Sequence, residues 1–417
     1  MFFTWVWIDA SSQPIPEELL LALSTPYRND EQNTLIVYPP FKEVFEDLEV
    51  DTHPLQRFHT TRTLKEMVPL LPLKCGRIFV LSTECPSEPP EAVWKWSDSD
   101  EDSDEEENIT LKPFTCVRRV GRLHQYHLHL TQEQSYLSLV QTVRDHGEIR
   151  TDRTGTGVRS VFGPQIEFNL EEGFPLLTTK RVPFDKVVHE VMWYLSGDTH
   201  TSYLRANRVF VWDDNTSRAF LDARGLTHYK VGETGPLYGF QWRHFGGDPK
   251  DLAQRPGVDQ LSRLLQILRS DPTSRRMFLS AWNPTDLEKM CLEPCHVSFQ
   301  LYVRNGTHLD GKLYLRSNDL FLGAPWNIAA YALLLMMFAH LSGYTPGKLI
   351  YTLGDAHLYL THLSQVEEML HRPLRPLPRV RIVDPEGNVK GWDDFSFEHF
   401  QLEGYTPHPP IVARMAV

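Results

Sequence analysis

The sequence is organised around the stretch Glu293-Pro-Cys-His-Val-Ser-Phe-Gln300. A cysteine thiolate is the strongest nucleophile among unmodified side chains, but a thiol stays mostly protonated at neutral pH unless positive charge stabilises its anion. Arg275 and Arg276 precede this stretch and Arg316 follows it. Because an isolated Pro-Cys-His is more often a buried structural thiol than a nucleophile, Cys295 is a candidate whose role depends on the rest of the chain.

Length and charge limit the classes of protein to consider. A chain of 417 residues is longer than a typical domain, which favours two domains. The formal net charge is -12, but the run Asp98–Glu107 contains eight acidic residues, so the remainder carries only -4. A polynucleotide-binding surface normally shows a basic excess. We therefore expect no nucleic-acid partner.

Cysteine usage and hydropathy indicate the compartment. The five cysteines do not include the two closely spaced pairs that a zinc site needs, so we expect no bound metal. The same cysteine usage predicts a reducing, cytoplasmic location and leaves entry into the nucleus open. The apolar start of the chain meets Asp9 too early for a signal peptide. The apolar segment Trp326–Tyr344 contains polar residues and predicts a buried helix and not a membrane span, so we expect no membrane partner.

Composition divides the chain into three parts. Residues 1–95 predict a small α/β domain, with strands at Phe2–Ile8, Thr34–Tyr38 and Arg77–Ser82 and a helix at Leu64–Leu71. Residues 96–110 predict a disordered acidic linker, since such a run cannot bury enough apolar surface to offset chain entropy. Residues 111–417 form the third part.

Hydrophobic periodicity in the third part alternates between helices and strands. It predicts helices at Gln132–Arg144, Lys186–Ser196 and Asp259–Arg269, a strand at Ser160–Phe168, and a long helix that begins at Asn327 after Pro325. These elements indicate a mixed α/β (α+β) fold.

The motifs in this part, taken in order, closely resemble the thymidylate synthase family. They are Asp152-Arg-Thr-Gly-Thr-Gly157, Phe174-Pro-Leu-Leu-Thr-Thr-Lys180, Gly235-Pro-Leu-Tyr-Gly239, Gln241-Trp-Arg243, Ser274-Arg-Arg276, Ser280-Ala-Trp-Asn-Pro284, Pro294-Cys-His296, Arg316-Ser317 with Asp319, and Asp355-Ala-His-Leu-Tyr359. The likeness spans about residues 130–417. The N-terminal region weakly resembles a degenerate dihydrofolate reductase-like domain, through the strand Arg77-Ile-Phe-Val80.

The resemblance implies a fold and a reaction. The fold would be that of thymidylate synthase, a mixed sheet packed by helices. The reaction would be reductive methylation of deoxyuridine monophosphate (dUMP) to dTMP, with 5,10-methylenetetrahydrofolate as donor of carbon and hydride and dihydrofolate as the second product. It also implies an obligate homodimer with shared active sites.

The resemblance further assigns roles to individual residues. Those it implies for catalysis are Cys295, Glu190, Tyr238, His296 and Asp319. Those it implies for binding dUMP are Arg153, Arg316, Ser317, Gln300, Asn327, His357 and Tyr359, together with Arg275 and Arg276 from the partner subunit. Those it implies for binding the reduced folate are Trp212, Asp319, Leu322, Gly323, Trp326 and Val417.

Three positions depart from the family's usual pattern. Trp326 stands where phenylalanine is usual, Glu293 stands where a small residue or proline is usual, and Thr406 replaces asparagine or aspartate. Two alternatives therefore stay open. One is a deoxyuridylate hydroxymethylase, in which water and not hydride meets the exocyclic methylene. The other is a non-catalytic binding protein that retains the fold.

Overall fold

The computed structural model describes residues 132–152 and 155–414 and, before them, the backbone of eight strands. These strands are β1 (Phe2–Asp9), β2 (Asn33–Val37), β3 (Leu55–Thr60), β4 (Arg77–Ser82), β5 (Ala92–Trp94), β6 (Ile109–Leu111), β7 (Phe114–Val120) and β8 (Leu123–His129). The helix predicted at Leu64–Leu71 and residues 96–108 of the predicted linker lie outside the described residues. The three strands predicted in this region are confirmed as β1, β2 and β4.

The chain divides into two compact units, Met1–Thr131 and Gln132–Val417. Six strands of the first unit form one sheet in the order β3-β2-β4-β1-β8-β7. Strands β3, β2, β4 and β1 are parallel to one another, whereas β8 is antiparallel to β1 and to β7. Strands β5 and β6 form a separate antiparallel pair.

Strands β7 and β8 place the boundary between the units later than the sequence suggested. The predicted boundary near residue 110 assigned both strands to the second part of the chain. In the structure β8 pairs with β1 from Phe2 opposite His129 to Ile8 opposite Leu123. This pairing joins residues more than a hundred positions apart, so local composition carries no signal for it.

A mixed sheet of seven strands forms the centre of the second unit. Its strands are β9 (Glu148–Arg150), β10 (Val158–Phe162), β11 (Gln165–Asn169), β12 (Phe278–Ser280), β13 (His296–Arg304), β14 (His308–Asp319) and β15 (Thr345–Tyr359). Their order is β12-β13-β14-β15-β10-β9, and β11 also pairs with β15. Only the β14–β15 pair is parallel. A small antiparallel pair, β16 (Arg379–Ile382) and β17 (Phe400–Glu403), lies apart from this sheet.

Helices cover one face of the seven-stranded sheet. They are α1 (Gln132–His146), α2 (Phe184–Ser196), α3 (Ser202–Ala206), α4 (Arg218–Ala223), α5 (Tyr238–His244), α6 (Gln260–Ser270), α7 (Gly323–Ser342) and α8 (Leu363–His371). Short 3-10 turns occur at Asp214–Thr216, Leu287–Lys289, Leu360–His362, Trp392–Asp394 and Phe397–His399. The mixed sheet packed by helices confirms the predicted fold class.

Helix α7 is the central helix of the core. Within the described part of the chain it is the one helix long and apolar enough to cross a membrane, but 78% of its apolar window is buried inside the protein. Its own apolar side chains lie on all sides of the helix, as expected of a helix packed in the core of a large unit. It contacts β14 and β15, so its first turn is held beside the ends of these two strands.

Two element boundaries differ from the sequence prediction. The strand predicted at Ser160–Phe168 is two strands, because Gly163 adopts a left-handed φ of 84° and Pro164 cannot donate to a ladder. The long helix begins at Gly323 and not at Asn327, so Pro325 lies within its first turn. A proline is tolerated there because the N–H groups of a first helical turn have no intrahelical acceptor.

The two faces of the sheet differ in burial. Side chains that point towards the helices, such as Phe299 and Leu313, are almost fully buried. The alternate positions point the other way. We call that side the outer face; the residues that define it are Phe278, Gln300, Tyr302 and Tyr314, all of them exposed.

Candidate active site

A cavity of about 890 Å³ opens between the sheet edge and the helices of the second unit. Fourteen of the residues singled out in the sequence line it. They are Glu190, Trp212, Tyr238, Cys295, His296, Arg316, Ser317, Asp319, Leu322, Gly323, Trp326, Asn327, His357 and Tyr359. The fold therefore brings together side chains from seven segments that are up to 169 positions apart, Glu190 to Tyr359.

Cys295 lies immediately before β13, where that strand meets the end of β14. The register pairs His296 with Leu315, so Arg316 comes to the side of the cysteine. The Arg316 guanidinium donates from Nε to the Pro294 carbonyl oxygen at 2.9 Å and from Nη2 to the Glu293 carbonyl oxygen at 2.8 Å. The backbone N–H of Arg316 also donates to the Cys295 carbonyl oxygen at 3.0 Å. The cationic group is thus fixed against the segment that carries the sulfur.

Tyr238 and His296 form the floor beside the cysteine. The Tyr238 hydroxyl accepts a hydrogen bond from the Cys295 backbone N–H at 2.9 Å, and the tyrosine ring stacks on the His296 ring at 4.7 Å. Burial lowers the pKa of His296 to about 4, and a hydrogen bond with the Asn327 side chain opposes this shift. His296 is therefore a neutral imidazole near pH 7, fixed by Asn327.

Asn327 belongs to a chain of buried polar groups. Its side chain also bonds to Tyr351, whose hydroxyl donates to Asn318 Oδ1 at 2.8 Å. Residue 327 is the fifth residue of α7, and residue 318 lies near the end of β14. An amide held at both ends keeps one orientation, as recognition of a ligand's hydrogen-bond pattern requires.

Glu190 is a buried carboxylate with an indole N–H on each oxygen. It lies on α2 among buried apolar residues and is 4% exposed. Trp212 Nε1 donates to Oε1 at 2.8 Å, and Trp326 Nε1 donates to Oε2 at 2.7 Å. Burial raises the pKa of Glu190, whereas the hydrogen bonds from Trp212, Trp326 and Tyr194 lower it. The carboxylate is therefore buried inside the second unit and does not face solvent.

His357 is held by Asp355 at the opposite end of the cavity. Asp355 Oδ1 lies 3.0 Å from His357 Nδ1 and accepts from Ser160 Oγ at 2.9 Å, while Oδ2 accepts from Arg150 at 3.2 Å. The hydrogen bond with His357 is the main reason that the pKa of Asp355 is lowered. A carboxylate on Nδ1 orients the ring and leaves Nε2 for a ligand.

Lys180 is a cavity residue to which sequence reasoning gave no role. It is 6% exposed, donates to the Phe321 carbonyl oxygen, and lies 3.8 Å from the centre of the Phe321 ring. Burial lowers its pKa to about 8, and the nearby Asp319 opposes this shift. Burial of this lysine depends on contacts with Asp319 and Phe321, which are distant in the sequence, so the local Thr-Thr-Lys motif does not reveal it.

Glu133 on α1 fixes the segment that precedes Lys180. Its carboxylate accepts from the backbone N–H groups and the hydroxyls of both Thr178 and Thr179, at distances between 2.6 and 2.9 Å. It is 2% exposed and does not line the cavity. Its function is to hold the cavity wall in place.

Five predicted site residues are not placed at the cavity. Arg153 and Val417 lie outside the described residues. Arg275 and Arg276 are exposed and absent from the cavity lining. Gln300 is also exposed, because side chains alternate along β13 and Phe299 takes the inward position. In a single subunit Gln300 therefore lies on the outer face and does not contact the cavity.

Comparison with known proteins identifies the family. The model of the thymidylate synthase family matches residues 134–417, which is more than half of the chain. The chain belongs to the thymidylate synthase family. Members of this family use methylenetetrahydrofolate as a co-substrate and bind dUMP. In the described part of the chain no group of three or more His, Cys, Asp or Glu side chains could hold a metal ion.

Individual thymidylate synthases are similar over the same two thirds of the chain. The thymidylate synthase of Homo sapiens is 47% identical over 288 residues, which cover 68% of this chain and 91% of the human protein. That of Equine herpesvirus 2 is 48% identical over 68% of this chain and 98% of the viral protein. A bifunctional dihydrofolate reductase-thymidylate synthase of Arabidopsis thaliana is 45% identical over 69% of this chain but over only 50% of its own length.

Proposed function

We propose that this chain is a thymidylate synthase that converts dUMP to dTMP by reductive methylation and releases dihydrofolate. One observation carries the proposal. Cys295, the guanidinium of Arg316 and the polar groups of Glu190, Tyr238 and Asn327 line one cavity in a chain of this family. A nucleophile, a cation and oriented polar groups are what addition to a nucleotide base requires.

Cys295 acts as the nucleophile in this proposal. Its sulfur bonds to C6 of the uracil ring, and the electron pair of the C5–C6 double bond moves to C5 and the O4 enolate. C5 then forms the new carbon–carbon bond to the one-carbon unit, and a base of the protein later removes the proton from C5. Covalent addition thus converts an unreactive ring carbon into a nucleophile.

Arginine side chains bind the phosphate. A planar guanidinium donates two parallel hydrogen bonds to phosphate oxygens, so it suits a dianion better than an ammonium group does. Arg316 is held by two backbone carbonyls beside Cys295, which supports one cation serving both the phosphate and the thiolate. We assign Ser317 and Arg153 to the same group, and His357 and Tyr359 to the sugar hydroxyl.

Asn327 reads the base. Its amide can donate to O4 and accept from N3–H of uracil, whereas cytosine presents the opposite pattern at both atoms. The hydrogen bonds with His296 and Tyr351 support a fixed orientation of this amide. The neutral state of His296 leaves it available to orient a water molecule or the base without adding charge.

The reduced folate supplies the one-carbon unit and the hydride when it is bound. The cavity fits such a group because the tryptophan rings 212 and 326 and Leu322 give it apolar walls for a flat heterocycle. Asp319 supplies a carboxylate for ring N–H groups, and its Oδ1 is already fixed by the backbone N–H groups of residues 321 and 322. We assign Gly323 and the C-terminal Val417 to the same site.

We further propose that the enzyme is a homodimer with shared active sites. Arg275 and Arg276 are exposed and lie outside the cavity of their own subunit, which supports a role in the site of the partner. The outer face presents Phe278, which is 51% exposed, and Tyr302, which is 64% exposed. Exposed aromatic residues on a flat sheet are typical of an isologous interface.

The need for a reduced nucleophile also supports a cytoplasmic location. Cys295 must remain a reduced thiol to add to the ring, so we place the enzyme in the cytoplasm.

Identification of the product tests the function. The purified chain is incubated with dUMP and 5,10-methylenetetrahydrofolate, and the nucleotide is identified by mass while dihydrofolate is followed by absorbance. We expect a nucleotide with one added methyl group and an equal amount of dihydrofolate. A hydroxymethyl product without dihydrofolate would identify a hydroxymethylase. An unchanged nucleotide would indicate a binding protein.

A further inference from the structure

Both oxygens of the Glu190 carboxylate are held by tryptophan side chains from different parts of the chain. Trp212 precedes the turn Asp214–Thr216 and donates to Oε1, whereas Trp326 lies in the first turn of α7 and donates to Oε2. At 2.8 and 2.7 Å both are short N–H···O bonds, as expected when the acceptor is ionised. The two indoles therefore fix both the position and the plane of the carboxylate.

The surroundings of Glu190 make the Trp326 bond important. Glu190 faces Tyr194 on its own helix and Tyr331 on α7, and Tyr194 in turn packs against Tyr238 on α5 at 5.3 Å. Burial raises the pKa of all three tyrosines, so they stay neutral. No cationic side chain contributes to the shift of the Glu190 pKa, so its ionised form depends on hydrogen-bond donors.

Trp326 is also the neighbour of Asn327 on α7. Two consecutive residues near the start of this helix thus bond to different groups, Trp326 to the buried carboxylate and Asn327 to His296. A phenylalanine ring would fill similar space at position 326, but it has no N–H to donate. The contribution of the indole to Glu190 can therefore be separated from its contribution to packing.

We propose that Trp326 is a positioning residue that holds Glu190 in place and favours its ionised form. It acts on the reaction through Glu190, and in that respect the inference rests on the proposed function. Glu190 lines the cavity, where the ionised group can accept a proton from water or from the nucleotide. Loss of the indole N–H removes a charge-assisted hydrogen bond and favours the protonated acid.

Infrared spectroscopy tests the first part of the proposal without substrate. The carbonyl stretch of the protonated Glu190 carboxyl is identified as the band lost in Glu190→Gln, and the pH at which it disappears is measured. For Trp326→Phe the band is identified in the same way, by comparison with the double variant Trp326→Phe, Glu190→Gln. We expect its midpoint to lie about one pH unit higher than in the parental chain, as for a lost hydrogen bond to a charged group.

Trp193→Phe is the matched control. Trp193 lies on the same helix as Glu190 and packs against Trp212 at 5.9 Å, but its Nε1 donates to the His200 carbonyl oxygen. Its replacement removes an indole N–H from the same aromatic cluster without removing a donor to Glu190. We expect the infrared midpoint to stay at the parental value.

The pH dependence of kcat tests the second part. In Trp326→Phe we expect the acid limb of kcat for dTMP formation to move to higher pH by the same amount, and in Trp193→Phe to stay in place.

An infrared midpoint that does not move in Trp326→Phe, or that moves equally in the control, would overturn the proposal. A shifted midpoint with an unshifted acid limb would refute the catalytic role of the Glu190 ionisation. If the parental chain made no dTMP, the proposed function would fail, while the infrared result would still decide whether Trp326 sets the ionisation of Glu190.

Discussion

The two faces of the seven-stranded sheet carry different kinds of polar and aromatic side chains. On the side covered by helices several polar groups are buried and paired, as Asn318 is with Tyr351 and Glu190 with two tryptophans. On the outer face, Tyr302 and Phe278 are exposed, and the loop before β12 carries two exposed arginines.

This difference indicates that the two sides of the sheet have different functions. An apolar core with satisfied polar groups needs nothing further to be stable. Exposed aromatic rings beside cationic side chains are more typical of a surface that meets another protein. We therefore expect inner-side substitutions to affect the chemistry of their own subunit and outer-face substitutions to affect the partner. Substitutions on the two sides test that division, from the largest expected effect to the smallest.

Replacement of the nucleophile should have the largest effect. We expect Cys295→Ser to lower kcat by about 10⁴-fold or more, because a hydroxyl is a far weaker nucleophile than a thiolate at neutral pH. Cys291→Ser is the control, since Cys291 is fully buried and does not line the cavity. Steady-state rates of dihydrofolate release measure both. Equal activity of Cys295→Ser and the parental chain would contradict a covalent mechanism.

Replacement of Arg276, in the loop before β12, should be rescued by a partner. We expect Arg276→Ala to lose about 10²-fold in kcat/KM, since it removes a cation from the phosphate site of the other subunit. When it is mixed and refolded with Cys295→Ser, hybrid dimers should restore about one quarter of the parental activity, because half of the dimers are hybrids with one intact site. A chain with both substitutions, mixed with Arg276→Ala, should restore none, because no site in that mixture combines Cys295 with an Arg276 from the partner. Absence of rescue in the first mixture would show that Arg276 does not act across subunits.

A charge on the outer face should weaken association. We expect Tyr302→Asp to raise the dimer dissociation constant by about tenfold or more, because a buried unpaired carboxylate at an interface is costly. Ile149→Asp is the control, since Ile149 is equally exposed at 64% but lies on the edge strand β9. Analytical ultracentrifugation over a range of concentrations measures both. The same dissociation constant for Tyr302→Asp and the parental chain would place the interface elsewhere.

Burial of His296 should make stability depend on pH. Its folded-state pKa of about 4 lies below the ordinary value of 6.5, so between these values the unfolded chain binds a proton that the folded chain does not. Stability from this group is therefore complete above pH 6.5 and is lost as the pH falls towards 4. Between about pH 7.5 and pH 5.5 we expect a loss of about 1 kcal/mol in the free energy of unfolding.

Denaturant unfolding of His296→Asn at the two pH values checks this expectation. The variant should lack that part of the pH dependence, whatever its absolute stability. An unchanged slope in His296→Asn would mean that this ring is protonated in the folded chain.

Several elements and fourteen of the cavity residues were predictable from the sequence, for identifiable reasons. Helices such as α2 have a strong apolar stripe, and the motifs around Cys295 and Arg316 occur in the order of the family. Burial of Glu190 and Lys180 was not predictable, because it depends on tryptophans and strands distant in the sequence. The family resemblance assigns Gln300 to nucleotide binding. In the structure the alternation of side chains along β13 puts Phe299 inside and Gln300 on the outer face.

The contact between Glu133 and the two threonines limits where the catalytic unit can be separated from the preceding residues. Glu133 is the second residue of α1, and Gln132 donates to the carbonyl oxygen of Asn169 at the end of β11. A truncated protein that began after Glu133 would leave the amides of residues 178 and 179 buried without an acceptor, next to the lysine of the cavity. Expression of the synthase part by itself therefore has to start upstream of Gln132.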